Sequence, residues 1–395
     1  MRQNASLGIC FRTRKNPMNK RCGKAKSSMA AASTPLLLLC LMLSNVTAFA
    51  AFWEHELKSD EVVQLQNSTA KTEPSGMAQV RVHAWVYERE RRLGARTLFA
   101  GYLGLDLAAM SAPERKVFTE RSALFLVDVQ KNKKLMLEAS DGSKVRLANT
   151  DNYGAVNELV MLPISDRDSL WQHYSVQGPH TKFTGRALRV PNQGISIISD
   201  IDDTVRDTNV LNRHEMLMNT FVRPLKAVPG MASLYQNAAA VPALRIHYLS
   251  NAPYALYPLV QQFLQGAHFP EGSMHLRAVS FKRSIWHTIL RLEHNNPHKT
   301  EVIESLLKDF PERTFVLIGD TGEQDPEIYG ALARAYPERV RMILLRDVTG
   351  DARNGIRFLR DMQGVPAAKW LLFTDAKALN LASAKITDST IKAAP

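Results

Sequence analysis

The hydrophobic pattern changes its period once along the chain, near residue 191. Before that point the apolar positions come in short stretches with strand period. Val80, Val82, Ala84 and Val86 alternate with Arg81, His83, Trp85 and Tyr87. Further strands are expected over residues 98–103, 123–129, 134–139, 144–147, 156–162 and 181–190. Asp141-Gly142 reads as a tight hairpin turn. Ser111-Ala-Pro-Glu114 reads as a helix start, with proline in the first turn and glutamate three residues after the serine. Several short strands separated by turn signals predict a β-sandwich-like domain over residues 79–190. It carries no convergent polar motif, so an accessory or docking role is expected. Residues 51–78 are more polar and read as a linker.

After Pro191 apolar runs alternate with helical segments, which predicts a parallel α/β sheet with helices on both faces. Strands are expected at 195–198, 244–249, 274–279, 314–318, 340–345 and 370–374. Helices are expected at 212–221, 230–239, 253–264, 285–293, 299–310 and 329–336. The α/β domain is expected over 191–350, with a C-terminal extension over 351–395. The interval from Thr204 to Leu244 leaves room for only a minimal cap.

Chemistry enters where these strands end. The run 195–198 leads into Ser199, then Asp200, Asp202 and Asp203, closed by Thr204. In open α/β sheets the ligand crevice lies beyond the carboxyl ends of the strands. Carboxylates crowded there repel one another, and burial sharpens the cost. A divalent cation relieves that repulsion, and an all-oxygen donor set suits Mg²⁺. Two other strand ends are polar: Ser250-Asn251, and Gly319-Asp320 through Asp325. Lys299 opens the helix before the last of these strands. His247, His268, His287, His294 and His298 lack metal-ligand spacing and read as structural or surface residues. Asp207, Asn251 and Arg346 are weaker candidates for the site.

These residues, in this order, resemble the four motifs of the haloacid dehalogenase superfamily of phosphohydrolases: Asp200-Ile-Asp202-Asp203-Thr204, then Ser250, then Lys299, then Gly319-Asp320 with Asp325. The stretches SDIDDT, YLSNAP, FPERTFVLIGDTGEQDPEIY and LLRDV are similar to the catalytic domain of actin-patch-type phosphatidate phosphatases, relatives of the lipin catalytic domain. That resemblance spans about residues 181–350. It implies a haloacid dehalogenase-like fold and Mg²⁺-dependent removal of phosphate from phosphatidic acid. It implies Asp200 as nucleophile, Asp202 as acid and base, and Ser250 and Lys299 as phosphoryl contacts. Thr204 would position the loop. The metal would be held by Asp200, Asp202 through its backbone carbonyl, and Asp320, with Asp325 as a further ligand or one step removed. Another phosphomonoester as substrate, and a module that binds phosphatidic acid without turnover, stay open.

Composition changes this picture in one place. The formal net charge is +12, but residues 1–50 hold eight basic residues and no acidic one. The remainder has 42 basic against 38 acidic residues, a balance that does not point to nucleic acid. It would at most assist peripheral contact with an anionic membrane. The basic region before an apolar run at 36–43, followed by Ala48-Phe49-Ala50, reads as an export signal with Ala51 as the first mature residue. Export to a bacterial periplasm or beyond the cell is therefore expected, the alternative being an N-terminal anchor. Cys10, Cys22 and Cys40 all lie in this leader, so thiol catalysis and disulfides are not expected in the mature chain.

Overall fold

The computed structural model describes residues 56–381 except 90–92, 165, 279–296, 352 and 354. These residues fall in one compact unit, Trp53–Pro395. The expected leader and the helix expected at 285–293 lie outside the described residues.

The chain opens with β1 (Glu61–Leu65), β2 (Ser68–Thr72) and β3 (Met77–Arg89). Helices α1 (Ala95–Leu103) and α2 (Ala112–Ser122) follow. Then come β4 (Val127–Val129), β5 (Met136–Ala139), β6 (Lys144–Arg146), β7 (Ala155–Pro163), β8 (Trp171–Gln177) and β9 (Lys182–Val190). The nine strands form one sheet with the path β1-β3-β2-β9-β8-β5-β6, with β4 and β7 also pairing with β3. Only β2 and β9 pair in parallel. Val80, Val82, Ala84 and Val86 of β3 meet Leu137 of β5, Val160 of β7 and Val176 of β8 in one buried cluster. One sheet therefore supplies a buried core shared by non-neighbouring strands, as in a sandwich-like domain.

Two expectations for this region are corrected. Residues 98–103 are not a strand but most of α1. Phe99, Ala100 and Leu103 bury one helical face, and Gly104 closes the helix with a left-handed φ of 72°. The segment read as a linker contains β1 and β2. Two of its polar residues are buried with partners: Glu61 pairs with Lys133 at 2.7 Å, and the Asn67 backbone donates to Tyr257 Oη at 2.9 Å.

The second half contains β10 (Gly194–Asp200), α3 (Arg213–Phe221), α4 (Met231–Ala239), β11 (Arg245–Pro253), α5 (Tyr257–Gly266) and β12 (Ser273–Arg277). It continues with α6 (His298–Asp309), β13 (Arg313–Asp320), α7 (Asp325–Ala335), β14 (Val340–Arg346), α8 (Ile356–Asp361) and β15 (Trp370–Phe373). The six strands lie in the order β12-β11-β10-β13-β14-β15, all parallel. Both faces are buried, as in parallel sheets generally. Ile195, Ile197, Val316 and Ile318 face Leu234 and Tyr235 of α4 and Val260 of α5. Ile198, Leu317 and Leu345 face Ile303 of α6, Tyr329 of α7 and Phe358 of α8. Between Thr204 and Met231 the chain forms one nine-residue helix, α3, so this interval contributes no large cap. β15 extends this sheet past residue 350, into what the sequence marked as an extension.

The two halves share a core. Trp85, Tyr87, Phe99, Phe118 and Phe125 belong to the same cluster as Ile195 and Ile197. The Phe99 and Phe221 rings lie 5.5 Å apart, joining α1 to α3. Arg313, fully buried, donates to the backbone oxygens of Pro191 and Gln193 at 2.9 and 2.6 Å, and so fixes the chain where one sheet gives way to the other.

Candidate active site

Asp200 ends β10 and Asp320 ends β13, the neighbouring parallel strand. Adjacent parallel strands stop at one level, so both carboxylates reach the same edge of the sheet. Asp325 opens α7 and folds back over this edge: its Oδ2 accepts the Asp320 backbone N–H at 3.2 Å. The three residues are buried, and one oxygen from each lies within 4.8 Å of the others. Gly319 makes the approach possible, because a Cβ there would meet Asp325 Oδ2 at 2.2 Å.

Lys299, in the first turn of α6, is the cation of this cluster. Its Nζ stands 2.7 Å from Asp200 Oδ1, 2.9 Å from Glu323 Oε2 and 2.5 Å from Asp325 Oδ1. Burial pushes the Asp200 carboxyl well above the usual carboxylate range. Lys299 opposes that shift, while Asp325, Glu323 and Asp320 add to it. Asp320 is raised in the same way, by burial and then by Asp325 and Glu323. Burial alone would lower Lys299, but Asp200, Asp325 and Glu323 raise it well above the ordinary lysine value. The site thus concentrates negative charge around one ammonium group.

Asp200 Oδ2 and Asp320 Oδ2 are buried without a hydrogen-bond donor among the described residues, and Asp200 Oδ1 meets only the Lys299 ammonium. Such groups are costly unless a cation or water meets them. A hard divalent cation, which takes carboxylate oxygens, fits this donor set.

Asp202 lies apart from the three. Its Oδ1 accepts from Arg206 Nε at 3.1 Å, from Arg206 Nη2, and from Thr208 Oγ1 at 2.8 Å. Its Oδ2 accepts from Ser250 Oγ at 3.0 Å. Burial pushes the Asp202 carboxyl up, but the charge of Arg206 and the hydrogen bonds from Arg206, Thr208 and Ser250 outweigh it. The carboxyl stays below its ordinary value. Ser250, expected from the resemblance to contact the phosphoryl group, donates to Asp202, and its Oγ also accepts the Ala252 N–H at 3.0 Å.

The third aspartate of the motif builds the loop. Asp203, at a left-handed φ of 54°, accepts the backbone N–H groups of Thr208 and Asn209 at 2.7 Å and of Val210 at 2.6 Å. Arg346 donates to its backbone oxygen at 2.6 Å, so it clamps the loop from the end of β14. Thr204 is buried beneath the loop, its hydroxyl without a partner among the described residues. Asp207 is exposed, and Asn251, half-buried, directly follows Ser250. His247 is a core residue, hydrogen-bonded to Ser273 at 2.7 Å and to Ser196 at 3.0 Å.

Residues 195–347 match the model of the family described as phosphatidate phosphatase APP1, catalytic domain. This segment is similar to that family of catalytic domains. It contains every residue of both carboxylate groups described above, from Asp200 to Asp325. The phosphatidate phosphatase APP1 of Saccharomyces cerevisiae is 29% identical over 249 residues, which cover 60% of this chain and 42% of the yeast protein. An uncharacterized protein of Schizosaccharomyces pombe is 30% identical over 198 residues, covering 49% of this chain and 30% of its own length. The chain thus spans less than half the length of each curated relative it matches. Among the described residues no helix is long and apolar enough to cross a membrane.

Sequence reasoning missed three residues of the site. Arg206 and Thr208 follow the aspartate motif directly, and Glu323 lies inside Gly319-Asp320-Thr-Gly-Glu-Gln-Asp325. A cation four residues after Asp202 was the available signal for the first. Glu323 meets Lys299 across 24 residues of chain, a pairing that spacing alone does not reveal.

Proposed function

We propose that this chain is a Mg²⁺-dependent phosphomonoester hydrolase that converts phosphatidic acid to diacylglycerol and phosphate through an aspartyl-phosphate. The observation that carries this reading is the buried group of Asp200, Asp320 and Asp325 around Lys299. The lipid substrate is inferred from the family match. Phosphomonoesters hydrolyse very slowly in water, and their dianions repel a carboxylate nucleophile. Asp200, Asp320 and Asp325, with the Asp202 backbone carbonyl, would hold Mg²⁺. That ion would supply the charge neutralisation an anionic ester needs in order to approach.

The chain's own residues do the rest. Asp200 attacks phosphorus from the end of β10, held by Lys299 at 2.7 Å. Lys299 also offsets charge that develops on the phosphoryl group. Asp202 gives a proton to the departing alkoxide and later takes one from the attacking water. Ser250 acts through Asp202, to which it donates. The short span between Thr204 and Met231 contributes no large cap, which suits a substrate presented at a lipid surface.

Activity on micellar phosphatidate and on a panel of soluble phosphomonoesters, with Mg²⁺ and with excess chelator, tests the reading. Phosphate release from phosphatidate that stops on chelation and returns with Mg²⁺ is the expected result. Turnover confined to soluble esters would replace the substrate. Phosphatidate binding without turnover would replace the activity, and full activity in chelator would remove the metal. We propose further that residues 1–50 direct export. The support is the basic stretch, the apolar run and the Ala48-Phe49-Ala50 pattern, and the N-terminal sequence of the mature protein tests it.

A further inference from the structure

We propose that Arg206 is a positioning residue for Asp202, anchoring Oδ1 of that carboxylate and leaving Oδ2 as the oxygen that exchanges protons with ester and water. The inference rests on the phosphohydrolase reading above. It starts from an asymmetry between the two oxygens. Oδ1 accepts from Arg206 Nε at 3.1 Å, from Arg206 Nη2, and from Thr208 Oγ1 at 2.8 Å. Oδ2 accepts from Ser250 Oγ at 3.0 Å. A carboxylate offers about four acceptor sites, two on each oxygen. Oδ1 is therefore filled, and Oδ2 keeps one site.

Arg206 is itself held for this task. The loop doubles back so that Arg206 N donates to the Ile201 oxygen at 2.9 Å and Asp203 N donates to the Arg206 oxygen at 2.7 Å. This places the guanidinium beside a carboxylate four residues earlier. The side chain is 4% exposed, and its Nε also meets Thr208 Oγ1 at 3.0 Å. Its Nε and Nη2 donors converge on Oδ1 and fix that oxygen, while Ser250 on Oδ2 sets the tilt of the carboxylate. The two cations of the site divide the two aspartates: Lys299 faces Asp200, and Arg206 faces Asp202.

In the first half-reaction the ester, bound as its monoanion, supplies a proton that Asp202 Oδ2 relays to the ester oxygen as the P–O bond breaks and Asp200 takes the phosphoryl group. In the second, Oδ2 takes a proton from the water that attacks phosphorus, and the bond to Asp200 breaks to release phosphate. A rotated Asp202 would fail at both transfers. An ester whose leaving group departs as a stable anion needs only the second.

Single-turnover cleavage of butyl phosphate and of 4-nitrophenyl phosphate by the full chain with Mg²⁺ tests the proposal. Arg206→Met is expected to slow the butyl ester by about 10²-fold or more, within the usual range of acid–base help, and the nitrophenyl ester by less than about tenfold. Arg206→Lys returns one donor to Oδ1 and is expected to recover most of the butyl rate. Thr208→Val removes one donor at little change of shape and is expected to fall between wild type and Arg206→Met, so the test holds even if the methionine variant folds poorly. Equal slowing of both esters in Arg206→Met and Thr208→Val, without recovery by lysine, would overturn the proposal. A wild-type chain that cleaves neither ester nor micellar phosphatidate would overturn the functional reading instead.

Discussion

A methyl group on Gly319 would lie 2.2 Å from Oδ2 of Asp325, so the carboxylate occupies space that exists because residue 319 has no side chain. Asp325 can then turn back onto the end of β13, where Lys299 Nζ lies 2.5 Å from its other oxygen. The requirement is for room rather than for an unusual backbone angle.

Gly319→Ala is therefore expected to displace Asp325 and weaken Mg²⁺ binding by at least about tenfold. The overpacking itself should cost about 1–3 kcal/mol of stability. Calorimetric titration of the folded variant with Mg²⁺ measures the first effect, and denaturant unfolding measures the second. Unchanged affinity would mean that Asp325 is not needed for the metal.

Lys299 is the cation shared by Asp200, Glu323 and Asp325. Lys299→Met should destabilise the metal-free chain by about 3–5 kcal/mol, the usual result of removing one partner of a buried pair. The loss should depend on pH. Asp200 and Asp320 already have raised pKa values in the folded chain, chiefly from burial, and loss of the ammonium raises that of Asp200 further. Such groups lose stability as pH rises from the unfolded carboxylate range toward the folded pKa. The variant should therefore lose more at pH 8 than at pH 5. Urea unfolding at both values checks this, and an equal loss at the two would contradict it.

A second pH effect has the opposite sign. Burial, then Arg81, lowers His83 to about 3, and burial, then Arg313, lowers His247 to about 3. The folded chain keeps both rings neutral, whereas the unfolded chain protonates them below about 6.5. Unfolding then takes up protons, so stability falls as pH drops below about 6.5, by up to about 1.4 kcal/mol per pH unit for each ring. Denaturant midpoints at pH 7, 6 and 5 for the wild type against His83→Phe isolate the slope from the opposing carboxylates, and equal slopes would contradict the burial of His83 as a neutral group.

Much of the α/β half could be read from the sequence because its signals are local. The run before Asp200 is apolar on both faces, as a central parallel strand must be, and the polar residues after it fall at the strand end. Asp200, Asp320, Asp325 and Lys299 lie on four different segments, yet each sits at the end or start of an element, where the topology gathers them. The failures have physical causes too. Residues 98–103 form a short apolar run, whose period does not separate helix from strand. β1 and β2 carry Glu61, Ser68 and Thr69 in buried positions, which look like linker until Lys133 and the neighbouring strands appear as partners. The hydrogen bond of Ser250 to Asp202 is not legible either, because a strand-end hydroxyl has no direction in a sequence. Only the fold turns it toward Asp202.

The central claim is that Asp200 carries the phosphoryl group while Asp202 moves protons, and intact-mass measurement after rapid acid quench tests it most directly. Each variant is mixed with an activated aryl phosphate and Mg²⁺. Asp202→Ala keeps the nucleophile but removes the base that activates water, so it should accumulate one added phosphoryl group. Its hydrolysis should be slowed by about 10²–10⁴-fold. Asp200→Asn keeps the shape of the site but has no carboxylate to attack, and should gain no mass at any time. A phosphorylated Asp200→Asn chain that still turns over would contradict the account.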